Sequence, residues 1–261
     1  MERKKLLSID INLGSYSSFV NKLILEASNG NSYYACVANV HMLIEAYQSP
    51  QYAEVVNKAG IVTPDGIPLT WALRFLYGIR QERVAGMDLL PDLLAMAEKN
   101  QLPVAFYGGS EEMLLKTKDH LNSNYPKLIV SQMYSPPFRG LTVSEEKSII
   151  SILNNSGAKL IFVVLGCPKQ EKWMAGMKDK IGAVMIGIGG ALPVLIGMKK
   201  RAPIWMQKSG FEWLYRLTQE FRRLFKRYAT TNSIFIYLVI KEKLQYKFSS
   251  GRIQSKKDFS K

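Results

Sequence analysis

The stretch LPVAFYGGSEEMLLKTKDHLN, residues 102–122, decides the fold. Leu102 to Tyr107 is an apolar run of strand length and Gly108-Gly109 ends it. Ser110 then stands where a hydroxyl caps the helix read over Glu111 to Asn122. KLIFVVLGCPKQEKW, residues 159–173, repeats the unit, with Lys159 to Leu165 as strand, Gly166-Cys167-Pro168 as turn, and a helix from Lys169 to Lys180. Upstream, Tyr33 to Val40 and Gly60 to Thr63 read as strands, and His41 to Lys58 and Pro91 to Asn100 as helices. Leu128 to Met133 is a further strand before Pro136-Pro137. Thr142 and Glu145 sit at capping-box spacing before a helix to Asn154, and Ala183 to Ile188 is a strand closed by Gly189-Gly190. Strands alternating with helices at this spacing predict an α/β fold, a parallel sheet covered by helices on both faces.

A chain of 261 residues suits one large domain, or a domain with an appendage. Its net charge of +14 is uneven. Residues 198–261 hold sixteen Lys or Arg against four Asp or Glu, while residues 1–197 hold nineteen against seventeen. The chain therefore divides into a nearly neutral body, 1–197, and a basic tail, 198–261, that seeks a polyanion such as an anionic bilayer, a nucleic acid or a phosphate-rich substrate. Ile181 to Gly197 lacks charge, but five glycines and a proline in 17 residues argue for a buried strand and glycine-rich loop over a membrane span. Ser233 to Ile240, flanked by Arg227, Lys241, Lys243 and Lys247, reads equally as a helix packed on the body or one lying in a membrane interface. Two cysteines and a charged MERKK start fit a reducing cytoplasm.

In a parallel sheet, ligands bind beyond the carboxyl ends of the strands. Those ends carry Asn39 and His41, Thr63-Pro64-Asp65-Gly66, Tyr107-Gly108-Gly109, Gly166-Cys167-Pro168-Lys169-Gln170 and Gly187-Ile188-Gly189-Gly190. Glycine turns opening onto helix N-termini suit a diphosphate, which makes Tyr107, Gly108, Gly109, Gly166, Gly189 and Gly190 the candidates to cradle it. There is no Walker A sequence, no dinucleotide glycine spacing and no Cys-x-x-Cys or Asp-x-Asp, so neither an ATPase, a nicotinamide enzyme nor a metal site is expected. Cys167 reads as a packing residue before a nucleophile. Spacing leaves Asp65 open between a turn aspartate and a general base.

Five segments occur in one order: Thr63-Pro64-Asp65-Gly66, Arg83-Val84-Ala85-Gly86-Met87-Asp88-Leu89, Tyr107-Gly108-Gly109, Leu165 to Trp173, and Lys200-Arg201-Ala202-Pro203. Together they resemble the WecG/TagA/CpsF glycosyltransferases, glycosyltransferase family 26, over about Tyr33 to Tyr228. The resemblance implies a Rossmann-like core and an inverting transfer from a UDP-sugar to a polyprenyl-diphosphate-linked sugar. It implies no required metal or other cofactor, and a C-terminal appendage working at the inner face of the bacterial plasma membrane. By motif position, Asp65 becomes the base, Asn39 and Gln170 hold sugar or acceptor hydroxyls, and Arg83 pairs with a phosphate or braces the pocket. Arg216, Arg222 and Arg223 are the candidates for the diphosphate, and Trp205, Phe211, Trp213 and Tyr215 for interfacial contacts. Val37 and Pro193 depart from the family pattern, so the donor is open among N-acetylmannosamine, its uronic acid and glucose, and a homo-oligomer is left open too. A nucleic acid is not expected as partner, because no nucleic-acid motif accompanies the charge. The readings kept in reserve are a basic nucleic-acid-binding protein and a nucleotide-sugar-modifying enzyme such as an epimerase.

Overall fold

Strands that are apolar on both sides are stable only between two layers of helix, and the chain folds accordingly. The structure, a computed structural model, describes the backbone of residues 1–258 and the side chains of residues 1–245. In chain order the elements are β1 (Arg3–Leu6), β2 (Ile9–Asn12), α1 (Tyr16–Ser28), β3 (Tyr33–Ala38), α2 (Val40–Gln48), α3 (Pro50–Asn57), β4 (Ile61–Pro64), α4 (Ile67–Tyr77) and α5 (Gly86–Lys99). There follow β5 (Val104–Gly108), α6 (Glu111–Asn124), β6 (Val130–Tyr134), α7 (Val143–Asn155), β7 (Leu160–Val164), α8 (Lys169–Met177), β8 (Val184–Gly187), α9 (Ala191–Leu195), α10 (Ile204–Lys208), α11 (Glu212–Gln219) and α12 (Phe221–Asp258). Six strands lie parallel in the order β4-β3-β8-β7-β5-β6, giving the Rossmann-like α/β architecture. The hairpin β1-β2 is antiparallel, and the buried Asn12 ties it to the sheet by accepting the Val62 N–H at 2.8 Å.

Alternation within each strand sorts the core into two faces. In β7, Ile161 and Val163 join Met42, Tyr52, Leu73 and Met174 on one face, and Leu160 and Phe162 join Leu23, Leu93 and Leu114 on the other. Each large apolar side chain so buried stabilises the fold by roughly 1.5–3 kcal/mol before entropy is charged. After β3 the chain turns into α2 on the first face, and after the neighbouring β8 it turns into α9 on the second. Two adjacent strands whose connections part in this way leave a crevice at their carboxyl ends.

Local chemistry sets most boundaries. Ser110 caps α6 by accepting the Met113 N–H at 3.2 Å, and Thr142 and Glu145 form the full capping box of α7. The helix expected over His41 to Lys58 is two, because Pro50 cannot continue α2 and Ser49 caps α3 by accepting from Tyr52 N. The helix expected from Pro91 begins five residues earlier, at Gly86, and carries Pro91 inside. After β8 the expected loop contains the short helix α9. The hairpin, α1 and α4 lie outside the elements read from sequence. The Ser233 to Ile240 run belongs to α12, which packs on α2 and α4 through Phe235, Leu238 and Val239 and leaves Ile236, Tyr237 and Ile240 exposed. Lys247, named as flanking that run, lies outside the residues whose side chains are described.

Candidate functional site

The β3/β8 crevice opens into a cavity of about 980 Å³. The carboxyl ends of β3, β4, β7 and β8 form its floor, α4 one wall, and α11 and α12 the roof. The floor brings together Asn39, Asp65, Gly166, Gln170, Gly189 and Gly190, and the surrounding lining adds Arg83, Arg216 and Arg223.

Asp65 is held from its backbone. Its N–H donates to the Ala38 carbonyl at 2.7 Å, while the Pro64 carbonyl accepts from Val84, so the turn is fastened to the strand beside it and to the segment leading into α5. Among the described residues no donor hydrogen-bonds its carboxylate, which leaves both oxygens for a ligand. Burial and the negative charge of Glu212 push its pKa up to about 7, against the pull of Arg216 and Arg83. A carboxylate poised near neutral pH, facing a cavity and unspent on the protein, is suited to accepting a proton.

The arginines divide into those already paired and those available. Arg83 donates to Glu212 at 2.7 Å and to Asp88 at 2.8 Å, and Arg201 also pairs with Asp88. Arg83 therefore braces α11 against the body, both of its terminal nitrogens engaged by carboxylates. Arg223 pairs with Glu220, as does Lys199 at 2.6 Å. Arg216 reaches toward the floor, with Nη2 3.4 Å from the Gly190 carbonyl, and makes no ion pair with the described residues. It closes so near Gly190 that a Cβ there would stand 2.9 Å from the guanidinium. Arg227, also in the lining, leaves its buried Nε without a partner. His41 lies beside it, its pKa lowered to about 4 by burial and by Arg227, so its imidazole is neutral at physiological pH.

Asn39 and Gln170 line the cavity but are engaged by the protein. Asn39 caps α2, its Oδ1 accepting from Met42 N at 3.1 Å, and its amide nitrogen is the group left for a ligand. Gln170 is buried, its Oε1 accepting from Gly166 N at 3.1 Å and its Nε2 donating to Glu171 at 2.8 Å. Glu171 is fully buried, takes a second bond from the Tyr52 hydroxyl at 3.0 Å, and is pushed up by burial despite both. Gly189, at φ +39°, passes close to the Gln170 carboxamide, where a Cβ would lie 3.1 Å from Oε1. Gln170 thus shapes the loop around the site from inside. Burial and Glu171 also push the Cys167 thiol up, which keeps it protonated and unsuited to nucleophilic work.

Tyr107, Gly108, Gly109 and Arg222, expected at a diphosphate, do not line this cavity. The Tyr107 ring stacks on Trp173, centroids 4.0 Å apart, and faces Tyr134 on its other neighbour strand, which is a packing role. Gly108 is needed because a Cβ would stand 2.6 Å from the Val164 carbonyl. Arg222 is exposed on α12. Sequence reading assigned nothing to Glu212 and Lys199. The carboxylate of Glu212 is 129 residues from the arginine it pairs with, a distance no local pattern spans.

The model of the family described as glycosyl transferase WecG/TagA/CpsF matches residues 4–249. An N-acetylglucosaminyldiphosphoundecaprenol N-acetyl-beta-D-mannosaminyltransferase of Bacillus spizizenii is 29% identical over 210 residues, covering 80% of this chain and 79% of the relative. Proteins of the same name from Bacillus subtilis and Staphylococcus aureus are each 28% identical, over 210 and 218 residues, covering 80% and 83% of this chain and 79% and 83% of their own lengths.

Proposed function

The chain belongs to the WecG/TagA/CpsF glycosyltransferase family, and from that premise we propose that it moves one sugar from a UDP-sugar to a polyprenyl-diphosphate-linked sugar in cell-surface polysaccharide or teichoic acid synthesis. The names of the relatives make N-acetylmannosamine the first donor to offer, ahead of its uronic acid and glucose, and N-acetylglucosamine on diphosphoundecaprenol the first acceptor.

The observation that carries this reading is Asp65, a cavity carboxylate with a pKa near 7 and no protein hydrogen bond. The acceptor hydroxyl gives its proton to Asp65 as its oxygen bonds the anomeric carbon. The bond from that carbon to the UDP oxygen breaks with the electron pair leaving on UDP, so one displacement inverts the centre. The departing diphosphate gains negative charge, which Arg216, Arg227 and, once released from Glu220, Arg223 neutralise. With that positive charge supplied by the chain, transfer proceeds without a metal ion.

Residues 198–261 act in this reading as the membrane-associating appendage of a catalytic body formed by residues 1–197. No helix among the described residues is long and apolar enough to cross a membrane. Ile204, Trp205 and Phe225 are exposed within this basic segment, and each Lys or Arg near an anionic surface contributes about 1 kcal/mol of attraction, which supports a peripheral position on the inner face of the plasma membrane.

The test is radiolabelled transfer from a panel of UDP-sugars, with wild type and Asp65→Asn. Asp65→Asn is expected to lose about 10²–10⁴-fold in kcat while still binding UDP. Undiminished transfer by the variant removes Asp65 from the mechanism, and no transfer by wild type with any donor rejects the reaction.

A further inference from the structure

The cavity has a second half that the transfer chemistry leaves unused. Past Asp65 and the arginines its lining continues along α4 through Trp71 and Phe75, and along α12 through Ile236, Val239 and Ile240. Trp71 and Phe75 on α4, and Ile236 and Ile240 on α12, stand four positions apart, so each wall presents one apolar stripe, with Val239 beside the second at the edge of the core. Trp71 is 57% exposed and Ile236 58%, although their helices bury Leu73 and Leu238 in the core. Large apolar groups left open along both walls of one concave site mark a binding surface. The two helices are tied at one end, where the Tyr77 hydroxyl donates to Glu242 and the Lys243 ammonium donates to the Phe75 carbonyl. The ties hold α4 and α12 beside each other; the Lys243 ammonium also stands 5.1 Å from the centre of the Phe75 ring, and Trp71, Ile236 and Ile240 stay open.

We propose that this groove binds the isoprenoid chain of the acceptor, an inference that rests on the transfer reading above. Along both walls the lining runs from polar to apolar, from Asp65 before α4 to Trp71 and Phe75 on it, and from Arg223 and Arg227 to Ile236 and Ile240 along α12, with the apolar ends of the two helices tied together. A lipid-linked acceptor changes in the same order, from sugar hydroxyl, through diphosphate, to prenyl chain. A bilayer surface supplies hydrocarbon but no reason for it to be continuous with the catalytic pocket. The groove makes the protein a reader of the lipid as well as of the sugar, with Trp71, Phe75, Ile236 and Ile240 setting the preference for a long branched chain.

The test compares two acceptors with the same sugar-diphosphate head, one on undecaprenyl and one on butyl, in nonionic detergent. Wild type is expected to favour the undecaprenyl acceptor by about tenfold or more in kcat/KM, chiefly through KM, from the apolar area covered. The double variant Phe75→Ser with Ile240→Ser brings that ratio toward one, and Phe75→Leu with Ile240→Leu restores it. Trp71→Ala gives an independent reading if the serine variant does not fold. A wild-type ratio of one, or a serine variant with the wild-type ratio, overturns the groove and leaves the transfer reading standing. Transfer to neither acceptor overturns both. Co-sedimentation with anionic phospholipid vesicles separates the remaining occupant. Vesicle binding that falls in parallel with the ratio makes the stripes a bilayer-docking surface and overturns the proposal, and unchanged vesicle binding supports it.

Discussion

The floor and the roof of the cavity are built by different physics. The floor is set by six strands whose side chains interlock on both faces, with Phe106, Phe162 and Ile186 fully buried and Asp65 held by backbone hydrogen bonds. The roof, from α10 to α12, buries fewer groups and is fastened by ion pairs, Arg83 with Glu212, Arg201 with Asp88, and Lys199 with Glu220. Apolar packing is insensitive to salt and gives little to small shifts, whereas partly exposed ion pairs weaken with salt and reorganise cheaply. The carboxylate proposed as the base therefore sits on the rigid half, and the groups proposed to meet the leaving diphosphate sit on the adjustable one. In the proposed reaction, admitting a lipid-linked acceptor and releasing UDP both gain from that division.

The sharpest break of the comparison is in the floor. Phe162→Ala removes a fully buried ring packed 5.2 Å from Phe106 and is expected to cost about 3–5 kcal/mol of stability, read as a lower denaturant midpoint with the slope unchanged. A loss below about 1 kcal/mol means that the sheet is not the rigid half. Next is the roof's chemistry. Arg216→Ala is expected to lower kcat by about 10²-fold with little change in thermal midpoint, since the residue makes no ion pair with the described residues. A fall in stability comparable to that of Phe162→Ala places Arg216 among the packing groups instead.

The coupling between the halves is read by pH. With Asp65 as the proposed base, kcat/KM is expected to rise with pH through about 7 and then level. Glu212→Gln removes a negative charge that raises the Asp65 pKa, which is expected to shift the rising limb to lower pH. An unmoved limb separates Asp65 from the roof. The smallest effect is at Lys199, whose pair with Glu220 is partly exposed. Lys199→Ala is expected to change stability by less than about 1 kcal/mol, and by less still in high salt.

The sheet was legible because a buried strand announces itself over five or six residues, as LIFVV at β7 does, and a cap over four, as Ser110 and Thr142 do. The hairpin was hidden by the charges of Arg3, Lys4 and Lys5, which fill three of the four positions of β1, with only Leu6 buried. Helix α4 was hidden by Pro68 and by the exposed Trp71 and Phe75, which blur its apolar period. Of the strand-end candidates, Asp65, Asn39 and Gly189 line the cavity, because position after a parallel strand is a local property. Tyr107, Gly108 and Gly109, named by the same rule, lie outside this cavity, since β5 ends two strands away from the crevice and the Tyr107 ring stacks on Trp173.

By itself the sequence determined that strands and helices alternate, where most of them begin, that a carboxylate follows β4, and that the positive charge gathers after residue 197. These are consequences of neighbours within one helical turn or one strand, where backbone sterics, capping and alternation act. Only the tertiary structure decided that Gln170 turns inward to Gly166 and Glu171, that Arg83 is already committed to Glu212 and Asp88, and that Arg216 returns over Gly190. Charge and hydrogen bonding act through space over a few ångströms, and which groups come that close depends on the whole path of the chain.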